Sequence, residues 1–229
     1  DRRDPYGQAS APSRRAAPPS LAGLKVAWLP ACGNRLDPEV AAVTTAAVQQ
    51  MEQAGAIVEI VQLDFVALER HFLVILESML AARVGPHLER FCDRLDPSLV
   101  RAISLGLQHS AVALHEASYA RTRCFLQLQA LFDRHDVLVS PTVSAPPLPV
   151  EQDPNGIVVI DGQPAGTIRG AWYPYTYPMN LTGHPALSMP CGVSALGLPI
   201  GLQLAGRWHD DDFLLGIARL LEARLPGGR

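Results

Sequence analysis

Few residues in this chain could do chemistry, and their spacing removes most reactions. There is one lysine, Lys25, so a mechanism that needs a desolvated amine base has a single candidate. The serines at 140, 144, 188 and 194 stand near turns or strand ends, outside any G-x-S-x-G or S-x-x-K setting. Turn and cap roles account for serines so placed. Cys191 follows Pro190, with His184 seven residues earlier. This allows a Cys–His pair in principle, against the ordinary role of a buried structural thiol. His109 and His115 are six apart, off a common helix face, and no H-E-x-x-H occurs. The run HDDD at 209–212 reads as capping and first-turn charge at a helix start. Without a G-x-G-x-x-G after a strand or a P-loop, no metal and no cofactor are expected.

Two features resist so plain a reading. In SAVALHEASYARTRCFLQLQALFDRHD, residues Leu114, Ala117, Phe125, Leu128 and Phe132 make an apolar stripe, and Arg121 falls within it. A guanidinium on a core-facing stripe must be paired or must face a cavity. An internal salt bridge or a snorkelling side chain satisfies this, and so does an anion or carbonyl clamp. The second feature is WYPYTY at 172–177, which gathers Trp172, Tyr173, Tyr175 and Tyr177 in one loop. Such a cluster walls a ligand pocket, packs a helix or meets a partner.

The elements that must hold these residues follow from pattern and punctuation. LKVAWLP (24–30) reads as a buried strand, DPEVAAVTTAAVQQMEQAG as a helix capped by Asp37 and Pro38 and stopped at Gly55, and AIVEIVQL (56–63) as the next strand. That β-α-β unit predicts two parallel strands. From 65 to 134 the pattern is helical, broken at Gly85-Pro86 and Asp96-Pro97, with the longest helix over 110–135. DVLVSPT is a strand, and the connection over 143–179 holds a hairpin at VVIDGQPAG, turning at Asp161-Gly162. ALSMP (186–190), a short buried strand, and IGLQLAG (200–206) follow, then a last helix from Asp210 to Leu225 before Pro226-Gly227. Residues 1–20 form an irregular entry segment, and 21–229 one α/β unit with a mixed, partly parallel β-sheet flanked by helices on both faces. The chain has 229 residues, 48% apolar and 18% charged, with net charge −3, which fits a globular domain without a nucleic-acid surface. No apolar run spans a bilayer, no signal-peptide core opens the sequence, and four scattered cysteines suit a reducing compartment. A cytoplasmic protein is expected.

Taken in order, HDVLVSPT, MNLTGHPALSMPCG, GLPIGLQLAGR and DDDFLLGIARLLE closely resemble the C-terminal part of the amidase-signature family. LKVAWLP, DPEVAAVTTAAVQQMEQAGAIVEIV and DRRDPYGQ resemble the stretches that follow the catalytic region in those enzymes. The likeness covers nearly the whole chain. It implies hydrolysis of an amide C–N bond by a serine, activated through a second serine in a cis peptide by a neutral lysine. Those serines belong to a Gly/Ser-rich run and the lysine to a stretch upstream of it; this chain contains no such run, and Lys25 falls in the strand after it. No catalytic residue is therefore expected here. The expectation is a C-terminal portion that is inactive alone. Its partner is the missing N-terminal catalytic part, with a small amide substrate in the complete enzyme, and an uncovered apolar face could also make a homodimer. The alternatives are a stand-alone, non-catalytic binding domain derived from an amidase, or unrelated hydrolysis by Cys191 or a serine.

The resemblance also names substrate-binding residues. Arg121 matches a basic residue that grips a carboxylate in relatives acting on α-amino-acid amides. Tyr173 stands where those relatives carry an Asp for the substrate ammonium, a departure that argues against glutamine-type specificity. Asn180, in the NLTG segment, is expected to tie loops together through its amide. The segment itself is expected to be scaffold, its glycines permitting close turns and its prolines stopping the strand at each end.

Overall fold

The computed structural model of the chain describes residues 15–225. DRRDPYGQ and the Pro226-Gly227 stop lie outside the described residues. β1 (Lys25–Trp28), α1 (Pro38–Gln53) and β2 (Ile57–Ile60) form the expected unit, with the two strands parallel. The Asp37 carboxylate accepts the Glu39 amide at 2.9 Å, Pro38 opens the helix, and Gly55 takes φ 92° just past its end. Four helices follow: α2 (Glu69–Arg83), α3 (Leu88–Phe91), α4 (Pro97–Gly106) and α5 (Ala111–Phe132). Then come β3 (Val137–Pro141), the hairpin β4 (Val158–Ile160) and β5 (Gln163–Gly166), α6 (Tyr177–Thr182), β6 (Ala186–Val193), β7 (Pro199–Ala205) and α7 (Asp211–Glu222).

Five strands make the main sheet, in the order β2-β1-β3-β7-β6. It is parallel from β2 to β3 and antiparallel from β3 to β6. One face buries Val26, Trp28, Val139, Leu202 and Leu204 against α1 and α7. The other buries Ala27, Leu29, Leu138 and Ala205 against α5 and α6. Helices thus cover both faces. The entry segment over 15–20 has no helix or strand, and Arg15 stacks 3.7 Å over the Phe213 ring and pairs with Asp136 at 2.8 Å. No helix among the described residues is long and apolar enough to cross a membrane.

Three expectations need correction. β6 is not a short buried strand: it is an eight-residue edge strand with Ala186, Ser188 and Pro190 exposed. Pro190 does not end it. Pro190 pairs with Gly201 beside an irregularity in the register, a place where an edge strand tolerates a missing N–H. Residues Asn180, Leu181 and Thr182 are not loop but the end of α6, closed by Gly183 at φ 72°. And the core-facing line of α5 is Ala117, Ala120, Cys124, Leu128 and Phe132, which leaves Arg121 exposed on the flank.

α4 crosses α2 so closely that a Cβ at Gly106 would overlap the Glu77 carbonyl. Gly23 also resists a side chain, through its φ of 76°, but faces open space. Gly106→Ala is expected to cost about 2–3 kcal/mol by overpacking, a fall in Tm of roughly 5–10 °C. Gly23→Ala should cost only about 1 kcal/mol of backbone strain. Thermal unfolding of both variants beside the parent chain checks the order; equal shifts would refute the close helix crossing.

Candidate active site

Parallel strands covered on both faces offer ligands only their ends. At the carboxyl end of this sheet, the segments that follow β2 and β3 enclose a cavity of about 380 Å³. α2 contributes Glu69 and Glu77, α4 contributes Ser98 and Arg101, and the stretch after β5 contributes Thr167, Arg169 and Tyr173. Glu77 is buried and pairs with His109 at 2.6 Å. Glu69 accepts the Thr167 hydroxyl, and Gly170 lies so close to that carboxylate that a Cβ would collide with it. Arg101 and Arg169 form no ion pair with any described residue. Both carboxylates of the wall are thus committed to neighbours, whereas both guanidiniums are available to an anion.

Tyr173 stands in this cavity because the aromatic loop behind it is pinned to the sheet. Tyr175 is buried and donates to the Pro30 carbonyl at 2.9 Å, just past the end of β1. The Asn34 amide donates to the Ser144 hydroxyl at 2.7 Å and to the Tyr175 oxygen at 3.1 Å, and its carbonyl accepts the Cys32 amide at 2.9 Å. Tyr177 donates to the Phe65 carbonyl at 2.5 Å and stacks on Phe72. Burial pushes the pKa of both phenols well above the usual range, so each remains a donor. Asn34 is therefore the residue that ties loops together. Asn180, expected in that role, is exposed in α6, and its side-chain amide makes no hydrogen bond with a described residue. The available signal was the polar CGN turn directly after a buried strand.

Arg121 and Asn180 are brought together, but not with Tyr173. They line a separate concavity of about 390 Å³ with Phe125 and Trp208. Leu138 at the start of β3 pairs with Ala205 at the end of β7, and Trp208 follows three residues later. This second cavity is therefore at the opposite end of the sheet, and the two share no lining residue.

The serines behave as turn and ladder groups. Ser140 donates to the Pro141 carbonyl, Ser194 accepts the Leu198 amide and Ser188 meets Thr142. Cys191 packs on the α1 side of the sheet, and burial pushes its thiol up to about 12. His184 lies on the other side, against Phe125 and Phe132, so the sheet separates the two. Lys25 is exposed. Among the described residues no group of acidic, His and Cys side chains could hold a metal ion.

The sheet order, the two helical layers and the cavity at the carboxyl end define a mixed α/β domain with its site at the end of the parallel strands. A solved amidase structure superposes with a TM-score of 0.79 at 24% identity, covering 89% of this chain and 46% of that one. A bacterial aryl acylamidase of the amidase-signature family superposes at 0.77 and 21% identity, with coverages of 89% and 44%. The family profile described as Amidase matches residues 1–215, and the chain belongs to the amidase family. It is 33% identical to a 2-amino-5-chloromuconic acid deaminase of Comamonas testosteroni, over 93% of this chain and 46% of that protein. It is 30% identical to an acylamidase of Rhodococcus erythropolis, over 89% and 43%. The chain thus spans about half the length of the curated relatives it matches.

His184 is buried at 4% exposure among Phe125, Phe132 and Trp208, and burial lowers its pKa from 6.5 to about 4. The fold holds it neutral, whereas the unfolded chain takes up a proton below pH 6.5. Its contribution is complete above pH 6.5 and is lost as pH falls towards 4. Between those values the parent chain is expected to lose on the order of 2 kcal/mol more than a His184→Gln variant. Urea unfolding at a series of pH values measures this; parallel pH profiles would show that His184 is not held neutral.

Proposed function

We propose that this chain forms the substrate-facing wall of a C–N hydrolase acting on a small amide, with the nucleophile in polypeptide outside this sequence. The observation that carries the reading is the carboxyl-end cavity: Tyr173 and two guanidiniums without an ion pair, with no serine or cysteine hydrogen-bonded to a histidine or lysine among the described residues. The serine of the wall, Ser98, donates at 2.6 Å to the Asp96 carboxylate that caps α4. Such a site binds and orients but lacks a nucleophile paired with a histidine or lysine base. The hydrolytic step is supplied by the serine–serine–lysine arrangement that the family likeness implies. Arg101 and Arg169 hold a carboxylate of the substrate, and Tyr173 bounds its apolar part. The deaminase relative, named for an unsaturated amino acid, accords with an anionic substrate.

The catalytic part docks at the free edge of β6. There Leu187, Met189, Pro190 and Leu215 line a groove of about 340 Å³ between β6 and α7. Relatives named as subunits of a glutamyl-tRNA(Gln) amidotransferase are by that name parts of an assembly. Glutamine itself is not the substrate proposed, because Tyr173 offers no charge to an ammonium. The four cysteines are all free, which supports a reducing, cytoplasmic setting.

Alone, the chain of this sequence should release no amine from an aryl or aliphatic amide. Turnover that persists in a Lys25→Ala variant would overturn the proposal. In a longer polypeptide carrying the Gly/Ser-rich run, Arg169→Gln should raise KM for a carboxylate-bearing amide by roughly 10–100-fold. KM for its neutral analogue should be unchanged. Equal effects on both amides would remove the anion-holding role.

A further inference from the structure

The concavity at the amino end of β3 has chemistry of its own. Phe125 of α5 and Trp208 meet edge to face, their centroids 4.9 Å apart. The indole is fixed in place, since its N–H donates to the Thr182 carbonyl at 2.8 Å. Gly183 closes α6 at φ 72°, a backbone turn that suits glycine, and so brings the chain back against the indole. Beneath the two rings lies His184, whose Nδ1 faces the Thr182 hydroxyl at 2.9 Å and whose Nε2 has no partner among the described residues. Among the described residues lining the cavity, Arg121 is the one charged side chain. Arg121 forms no ion pair with a described residue, and the Asn180 amide is likewise uncommitted.

We propose that this concavity is a second small-molecule site, which binds a planar aromatic carboxylate. The ring lies against Phe125 and Trp208, an arrangement that aromatic pairs favour. The carboxylate takes two parallel N–H bonds from the Arg121 guanidinium and one from the Asn180 amide. The Phe125 and Trp208 rings, with the His184 ring packed against both, give the ligand ring an aromatic surface. The two cavities stand at opposite ends of the sheet, so this site binds independently of the amide cavity and stands whether or not the amidase reading does.

The test uses the whole chain and follows the Trp208 indole N–H resonance while benzoate, benzamide or cyclohexanecarboxylate is added. Benzoate should shift that resonance saturably, with a Kd in the low millimolar range or below, roughly 4 kcal/mol of binding. Benzamide, without the charge, and cyclohexanecarboxylate, without the flat ring, should each bind about tenfold more weakly or worse. Arg121→Gln lies on an exposed helix face and should leave the fold intact while lowering benzoate affinity to that of benzamide. Arg83→Gln, at the exposed end of α2 and outside both cavities, should leave the Trp208 shift unchanged. The proposal is overturned if benzoate does not saturate, if Arg121→Gln binds it as well as the parent chain, or if Arg83→Gln abolishes the shift.

Discussion

β3 is the strand on which the rest of the molecule depends. All five of its residues are buried, and it joins the parallel half of the sheet to the antiparallel half. Val137 and Val139 face α1 and α7, while Leu138 faces α5. Each such side chain contributes about 1.5–3 kcal/mol when fully withdrawn from water. Neither face can be opened for a ligand without giving that up. The sheet itself therefore offers ligands its two ends, where the Arg101–Arg169 cavity and the Arg121 cavity lie.

Burying both faces also buries polar groups, and their satisfaction fixes the aromatic loop. Gln203 sits in β7 at 5% exposure, where an unsatisfied amide would be costly. Its nitrogen donates to the Tyr175 carbonyl at 2.9 Å and lies 3.4 Å from the Ser140 hydroxyl. Together with Asn34 and Ser144, these bonds lock the backbone beside Tyr173 to three strands. A loop residue so held acts as part of the rigid sheet, which is what a wall of a catalytic pocket requires.

Much of this was legible in the sequence where the signal is local. Asp37-Pro38 opening α1, Asp161-Gly162 turning β4 into β5, and a break at Asp96-Pro97 all occur where turn and cap chemistry puts them, and the structure adds that Asp96 caps α4. Arg121 was misplaced for a geometric reason. Leu114, Arg121 and Leu128 are seven apart, and each such step drifts roughly 20° around a straight helix. Over fourteen residues the line slides from the margin, at Leu114, to the core, at Leu128, and Arg121 stays on the flank. β6 was misread because ALSMP is almost wholly apolar, and composition does not distinguish an interior strand from an edge. The pairing of Arg101 with Arg169 in one cavity had no sequence signal, since 68 residues and three strands separate them.

The edge strand explains how a wall and a nucleophile can lie on different pieces of polypeptide. Between β6 and the end of β3 stands β7, and at Gly201 its backbone is bare. A Cβ there would sit 2.8 Å from both the Ser188 and the Thr142 hydroxyl. Because it is absent, those hydroxyls meet directly at 2.7 Å across the intervening strand. The bond ties the exposed edge to the residue just past β3, from which the substrate-facing excursion departs. Reacting groups displaced by about 1 Å lose on the order of a hundredfold in rate. If the catalytic part docks on β6 as proposed, this rim of hydrogen-bonded backbone and one hydroxyl pair would hold it in register with the cavity.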